Sequence, residues 1–175
     1  MKKLIFFCIL MSLTYFSCRD VITYKEFVLT RTPYMGNELR IDGYYYQYYE
    51  DSKIAVQCFY RNGILLNMGG GASSLEEADE YIRSRFIEGS THPNYEYSKW
   101  GLFIVDDMTI KLELYQAADD IVKRTYIREG VVLNDSTFHI TVSYRSDGKE
   151  ISEKDEIYHF RQFSPKPDST NNFIK

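Results

Sequence analysis

Apolar and polar residues alternate with a period of two along much of the chain, which is typical of β-strands buried on one face. The clearest run, residues 109–115, places Ile110, Leu112 and Leu114 on one face and charged residues on the other. In residues 137–144 the same spacing gives one apolar face, formed by Phe138, Ile140, Val142 and Tyr144. Both runs predict half-buried antiparallel strands.

Weaker runs of the same kind are rich in aromatic and β-branched residues. They are residues 38–49, 53–61, 64–68, 100–105, 121–128 and 156–163. Short turn signals separate them, such as Asn62-Gly63 and Ser146-Asp147-Gly148. This pattern predicts about eight strands joined mainly by hairpins.

One segment departs from the alternation and predicts a helix. After the glycines of residues 69–71, Ser74 and Glu77 have the spacing of a capping box, and Gly89 marks the end. Between them lies an apolar stripe at helical spacing, formed by Leu75, Ala78, Ile82 and Phe86. We expect this amphipathic helix to cover an open end or one face of the sheet.

Short strands joined by hairpins either pair into two packed sheets or close into a barrel, and closure removes the exposed strand edges. We therefore predict a mainly β domain over residues 38–163, an antiparallel barrel of about eight strands with one inserted helix. Residues 18–37 are expected to form a tether that ends in an edge segment. Prolines at 165 and 167 end regular structure, so residues 164–175 are predicted to form a loose, extended tail.

The amino terminus has the plan of a signal peptide. Two lysines precede an apolar run over residues 4–16, which as a helix would reach about 20 Å, short of the roughly 30 Å hydrocarbon core of a membrane. Ser17 and Cys18 follow directly, and residues 15–18 resemble the lipobox of bacterial lipoproteins.

The lipobox resemblance implies that residues 1–17 are removed and that Cys18 becomes the lipid-attachment site. Several acyl chains on one cysteine would make the membrane anchor effectively permanent. Arg19 after the cysteine implies a place in the outer membrane of the cell envelope. An ordinary secretory signal cleaved nearby is the alternative. The barrel with its inserted helix is similar to the lipocalin-like group of small Gram-negative lipoproteins, over roughly residues 38–163.

Charge and motifs argue against several classes of function. The formal net charge is −4 and the basic residues are scattered, so no nucleic-acid partner is predicted. His92, His139 and His159 are not at metal-ligand spacing, and neither a metal nor a cofactor is predicted. No catalytic constellation is present, so the chain is not expected to be an enzyme. Cys58 lies in an apolar strand and is interpreted as an inert core thiol.

Tyrosine is the one compositional anomaly, with 16 in the chain. Five of them crowd residues 44–49, so their rings must project from both faces of one strand. Ordinary strand packing accounts for them, but an under-filled barrel would place some rings around a cavity. The candidate cavity-lining residues are Tyr45, Tyr49, Phe138 and Phe160.

Two hypotheses about function remain open. Strand count and aromatic content favour a lipid-anchored module that binds a small apolar or amphipathic ligand in its barrel. The alternative is a structural or assembly lipoprotein that contacts another envelope protein through a tyrosine-rich surface. An empty cavity of about 300 Å³ or more would favour the first, and a filled interior with an outer aromatic patch would favour the second.

Overall fold

Strands dominate the computed structural model, which describes residues 23–49, 52–89, 97–116 and 122–174. The strands are β1 (Thr23–Tyr24), β2 (Gly43–Tyr49), β3 (Lys53–Phe59), β4 (Ile64–Ala72), β5 (Trp100–Asp106), β6 (Thr109–Tyr115), β7 (Val122–Lys123), β8 (Thr125–Asn134), β9 (Thr137–Arg145) and β10 (Ser152–Gln162). Eight of them form a closed barrel in the order β10-β2-β3-β4-β5-β6-β8-β9, and every neighbouring pair is antiparallel. The predicted eight-stranded antiparallel barrel is confirmed.

The alternation seen in the sequence follows the inside and the outside of this barrel. Ile110, Leu112 and Leu114 of β6 point inward and belong to a buried cluster that fills part of the lumen. Lys111 points outward and forms an ion pair with Glu129 on β8, at 3.2 Å between Nζ and Oε2. The alternation in the sequence therefore predicted the inward and outward faces of β6 correctly.

Strand β9 follows the predicted alternation in its first half only. Phe138 and Ile140 lie in the luminal cluster, but Glu129 pairs with Val142 while Gly130 pairs with Ile140, so β9 carries one extra residue at this point. Such a bulge exchanges the two faces of the strand beyond it. Ser143 consequently faces the lumen, and the prediction that Val142 and Tyr144 share a face with Phe138 is wrong.

The predicted helix is present and covers the outside of the barrel. Helix α1 (Leu75–Ile82) continues as one π-helical turn (Arg83–Ile87), and Ser74 Oγ accepts a hydrogen bond from Glu77 N at 3.1 Å. Its buried residues pack with the outer faces of β3, β4 and β5 in a second core. The outer core includes Tyr44, Ile54, Val56, Leu66, Met68, Ile82, Phe86 and Trp100.

The segment before β2 runs along the outer wall instead of hanging free. Thr23–Tyr24 pairs in parallel with β7, and Tyr34 then reaches the opposite end, where its N donates to Arg61 O at 2.9 Å. Between them, the fully buried carboxylate of Glu113 accepts hydrogen bonds from Val28 N and Leu29 N at 2.9 and 2.7 Å. The part of the expected tether from residue 23 onward is therefore docked on the barrel.

The carboxyl-terminal residues are docked as well. Lys166 Nζ donates to the backbone oxygens of Ile41 and Phe59, each at 2.6 Å, and Ile174 is buried in the outer core. Residues 164–174 form no helix or strand, and they lie against the barrel. The signal segment and Cys18 lie outside the described residues.

Candidate functional site

The lumen of the barrel is divided into a closed half and an open half. In the closed half, five rings pack against one another with centroids 4.7–5.8 Å apart: Tyr45, Phe59, Phe103, Phe138 and Tyr158. Tyr34 plugs this end, with its ring centroid 5.6 Å from that of Phe103. Arg40 N also donates to Asp135 O in the β8–β9 turn at 2.8 Å. This end is therefore closed to a ligand.

The open half holds a cavity of about 680 Å³. Its walls come from six strands, β2, β3, β4, β8, β9 and β10, and from the end of β6. The polar residues of the lining are Gln47, Tyr49, Gln57, Asn67, Tyr115, Gln116, Tyr126, Arg128, Ser143, Glu150, Ser152, Lys154, Glu156 and Tyr158. A volume of this size is in the range of small-molecule sites, but the lining is more polar than is usual for an apolar ligand.

An ion pair lies where the open half meets the packed rings. The Arg128 guanidinium contacts the Glu156 carboxylate, and its Nη1 donates to Tyr158 Oη at 3.0 Å. The Tyr158 ring stacks on Phe138, with centroids 4.7 Å apart. Tyr158 thus belongs to both halves, since its ring extends the apolar packing and its hydroxyl faces the polar cavity. The two opposite charges leave this floor close to neutral.

Gln57 is the most unusual group in the cavity wall. The residue is only 2% exposed, and its Oε1 accepts no hydrogen bond from any described residue. A buried polar atom left without a partner costs about 1–3 kcal/mol, so native proteins keep few of them. Asn67 lies beside Gln57 in the β3–β4 register, and Gln47 follows on β2 two residues after the partner of Gln57. Three amides therefore lie on adjacent strands of one wall.

A network of polar groups stands at the open rim. Tyr126 Oη donates to the Glu150 carboxylate, and the Arg145 guanidinium contacts the same carboxylate. The hydrogen bond to Glu150 raises the pKa of the Tyr126 phenol. Arg145 also binds Asp147, at 2.8 Å between Nε and Oδ1, and holds the pKa of that carboxyl at about 2. The rim is thus formed mainly by groups that bind one another.

The residues that the sequence proposed as cavity lining are divided between the halves. Tyr49 lines the cavity, on the same wall as Gln47. Tyr45, Phe138 and Phe160 lie with the packed rings, and Tyr45 Oη donates to Asp135 O at 2.8 Å. Burial raises the pKa of the Tyr45 phenol well above its usual range.

Sequence reasoning missed Gln57, Arg128 and Glu156. Gln57 carried a signal, because it is the polar residue inside the apolar run of residues 54–60. Nothing in the local sequence marks Arg128 and Glu156 as inward-facing. Register shifts in β10 and β9 decide which of their residues face the lumen.

The thiol and the described histidines lie away from the cavity. Cys58 is buried in the outer core, where desolvation raises its pKa to about 11, in keeping with an inert thiol. His139 faces outward and lies 2.8 Å from Asp155, between Nε2 and Oδ1, while His159 is exposed. His92 lies outside the described residues. Within the described ranges, no group of three or more His, Cys, Asp or Glu side chains is placed to hold a metal ion.

No protein-family model, curated protein or solved structure matches the chain. The closed eight-stranded antiparallel barrel is shown, and the likeness to lipocalins stays a prediction. Among the described residues, no helix combines the length and the apolar character needed to cross a membrane.

Proposed function

We propose that the chain is an exported lipoprotein, anchored through Cys18 in the outer membrane, whose barrel binds a small polar ligand in its open half. The supporting observation is the Gln57 carbonyl oxygen, which is buried in the wall of a cavity of about 680 Å³ and lacks a donor. A ligand that donates a hydrogen bond to Gln57 would remove that cost.

The lining favours a polar ligand over the apolar or amphipathic one expected from the sequence. The aromatic side chains that could have surrounded an apolar molecule pack against one another in the closed half. The open half offers amides, hydroxyls and both signs of charge. A matching ligand carries several hydrogen-bond donors and acceptors and little net charge, because Arg128 and Glu156 already neutralise each other.

Ligand binding is tested by native mass spectrometry of the full chain, purified from its source in mild detergent. We expect a retained small molecule in the wild-type protein and its loss in Gln57→Leu, which removes the acceptor and keeps the side-chain size. Gln162→Leu is the matched control, because this glutamine is exposed on β10 outside the cavity. A wild-type protein that carries no small molecule, or a Gln57→Leu variant that retains it fully, contradicts the proposal.

The anchor is tested separately by labelling with radioactive palmitate. We expect the label to enter the wild-type chain and to be absent from Cys18→Ser, which should leave the membrane fraction. Unlabelled wild-type protein, or equal fractionation of the two forms, contradicts lipidation.

Protein–protein contact is the second candidate function, and the outer face of β2 favours it. Tyr48 is 52% exposed, and its ring lies beside that of Tyr46, at 5.7 Å between centroids. The test is cross-linking in intact envelopes. A partner that is captured by the wild type and lost in Tyr48→Ser supports this role, and unchanged capture contradicts it.

A further inference from the structure

We propose that the open mouth of the barrel faces the membrane and that the ligand is the head group of a zwitterionic membrane lipid. This inference rests on the proposed function, since it assumes both the lipid anchor and a polar ligand in the lumen. It adds where the ligand comes from and which chemical class it belongs to.

The chain enters the described structure beside the mouth. Thr23–Tyr24 pairs with Val122–Lys123, directly before β8, whose Tyr126 lines the cavity. Tyr115 at the end of β6 donates its hydroxyl to Lys25 O at 2.6 Å, which fixes the segment at this rim. From there the segment runs away from the mouth toward Tyr34 at the closed end. The described chain therefore begins at Thr23 on the open side of the barrel.

The connection to the anchor is short. Thr23 follows Cys18 by five residues, and five extended residues span at most about 18 Å. A lipidated Cys18 would thus hold Thr23, which pairs with Val122 beside the mouth, within about 18 Å of the bilayer surface. The closed end lies at the far side of the barrel, so a membrane-facing mouth is the arrangement that the short connection favours.

An aromatic group on the outer wall beside the mouth suits contact with the bilayer. Tyr24 is 43% exposed and Phe173 is 39% exposed. Tyr97 joins them, with its ring centroid 4.2 Å from Tyr24 and 6.4 Å from Phe173, and it also lies 5.4 Å from Tyr115. Tyrosine is enriched at membrane–water interfaces, because its ring is apolar and its hydroxyl can stay hydrated.

The lumen has the polar chemistry of a zwitterionic head group. Lys154 supplies positive charge for a phosphate, and the paired Arg128 and Glu156 present one charge of each sign to the cavity, the Glu156 carboxylate being an acceptor for an ammonium. The Gln57 carbonyl is a further acceptor for the ammonium hydrogens. A head group that carries both charges leaves the site near neutrality, whereas an anionic one would leave a net charge beside Glu156.

The orientation is tested with the full lipidated chain in phosphatidylethanolamine vesicles. Photoreactive p-benzoylphenylalanine replaces Ser152 at the mouth or, as the matched control, Asp135 in a turn at the closed end; both positions are exposed. We expect lipid adducts at position 152 at least tenfold more abundant than at position 135. Equal adducts at the two positions, or none at position 152, overturn the inference.

The ligand class is tested by titrating the same chain, in detergent, with glycerophosphoethanolamine and measuring binding by calorimetry. We expect saturable binding that weakens at least tenfold in Gln57→Leu and is unchanged in Gln162→Leu. A protein that retains some other polar molecule from its source, yet neither binds this probe nor cross-links to lipid at position 152, overturns the inference and leaves the proposed function standing.

Discussion

The two halves of the lumen belong to one barrel and yet differ in packing and in polarity. The closed half is filled by interlocking rings and plugged by Tyr34. The open half holds amides, charges and a cavity of about 680 Å³. Packed apolar surface stabilises the fold, whereas buried polar groups without partners weaken it. The comparison teaches that the packing which stabilises the fold lies at one end of the barrel and the polar cavity lies at the other.

The largest effect is expected from removing one ring of the closed half. Phe138→Ala removes a ring that contacts Tyr45, Phe59 and Tyr158, so unfolding free energy should fall by about 3–5 kcal/mol. Urea denaturation followed by Trp100 fluorescence measures the change. Ser143→Ala, on the same strand in the open half, is the control and should stay within about 0.5 kcal/mol. Similar losses in the two variants would break the comparison.

The second largest loss of stability is expected at alkaline pH, and it comes from Cys58 in the outer core. Burial raises the pKa of Cys58 from 9.0 to about 11, so the folded chain keeps a proton that the unfolded chain releases. Stability from this group is complete below pH 9 and is lost as the pH rises through 11, a change of about 3 kcal/mol. Urea midpoints from pH 8 to 11 measure it.

Two neighbours of Cys58 modify this titration. The raised pKa of Tyr60 adds to the alkaline loss, and the lowered pKa of Lys166 opposes it, because the folded chain gives up that proton more readily. Cys58→Ala should flatten the curve between pH 9 and 11. An unchanged slope in that variant would contradict the role of the thiol.

Breaking the ion pair of the open half should have a smaller effect. Arg128→Met leaves Glu156 without its cation and should lower unfolding free energy by about 2 kcal/mol. Adding Glu156→Leu should restore most of this loss, because two apolar groups then replace the two charges. A double variant no more stable than the single one would show that the pair acts mainly through packing.

The smallest expected change is a rise in unfolding free energy, whereas Phe138→Ala and Arg128→Met lower it. Gln57→Leu removes a buried acceptor that has no donor, so unfolding free energy should rise by about 1 kcal/mol while ligand retention is lost. Chemical denaturation without ligand measures the gain. A less stable variant would mean that Gln57 contributes to the fold, which would remove the contrast between the halves.

The sequence predicted the architecture better than the site. Strict alternation in β6, the capping residues Ser74 and Glu77, and the helical stripe are local signals, and each is confirmed. The luminal polar groups depend on pairing between distant strands. One extra residue in β9 is enough to bring Ser143 into the lumen, and no local pattern marks the position of that bulge.

The docking of the two terminal segments on the barrel was not predicted, for a related reason. Val28 and Leu29 are held by Glu113, which lies 85 and 84 residues away in sequence. Lys166 binds Ile41 and Phe59 across 125 and 107 residues. Glycine, proline and polarity in these segments rule out regular structure, but they do not rule out tight docking. Composition alone therefore underestimated how much of the chain is ordered.

The Glu113 carboxylate also determines how the protein responds to a pull on its amino terminus. The two hydrogen bonds from Val28 N and Leu29 N join the leading segment to β6 in the wall of the barrel, below the short parallel pair with β7. Tension from the leading end would first separate that pair and the hydrogen bond from Tyr115 to Lys25, and would then be borne by Glu113. Tyr34 at the closed end would bear no load until those hydrogen bonds had broken.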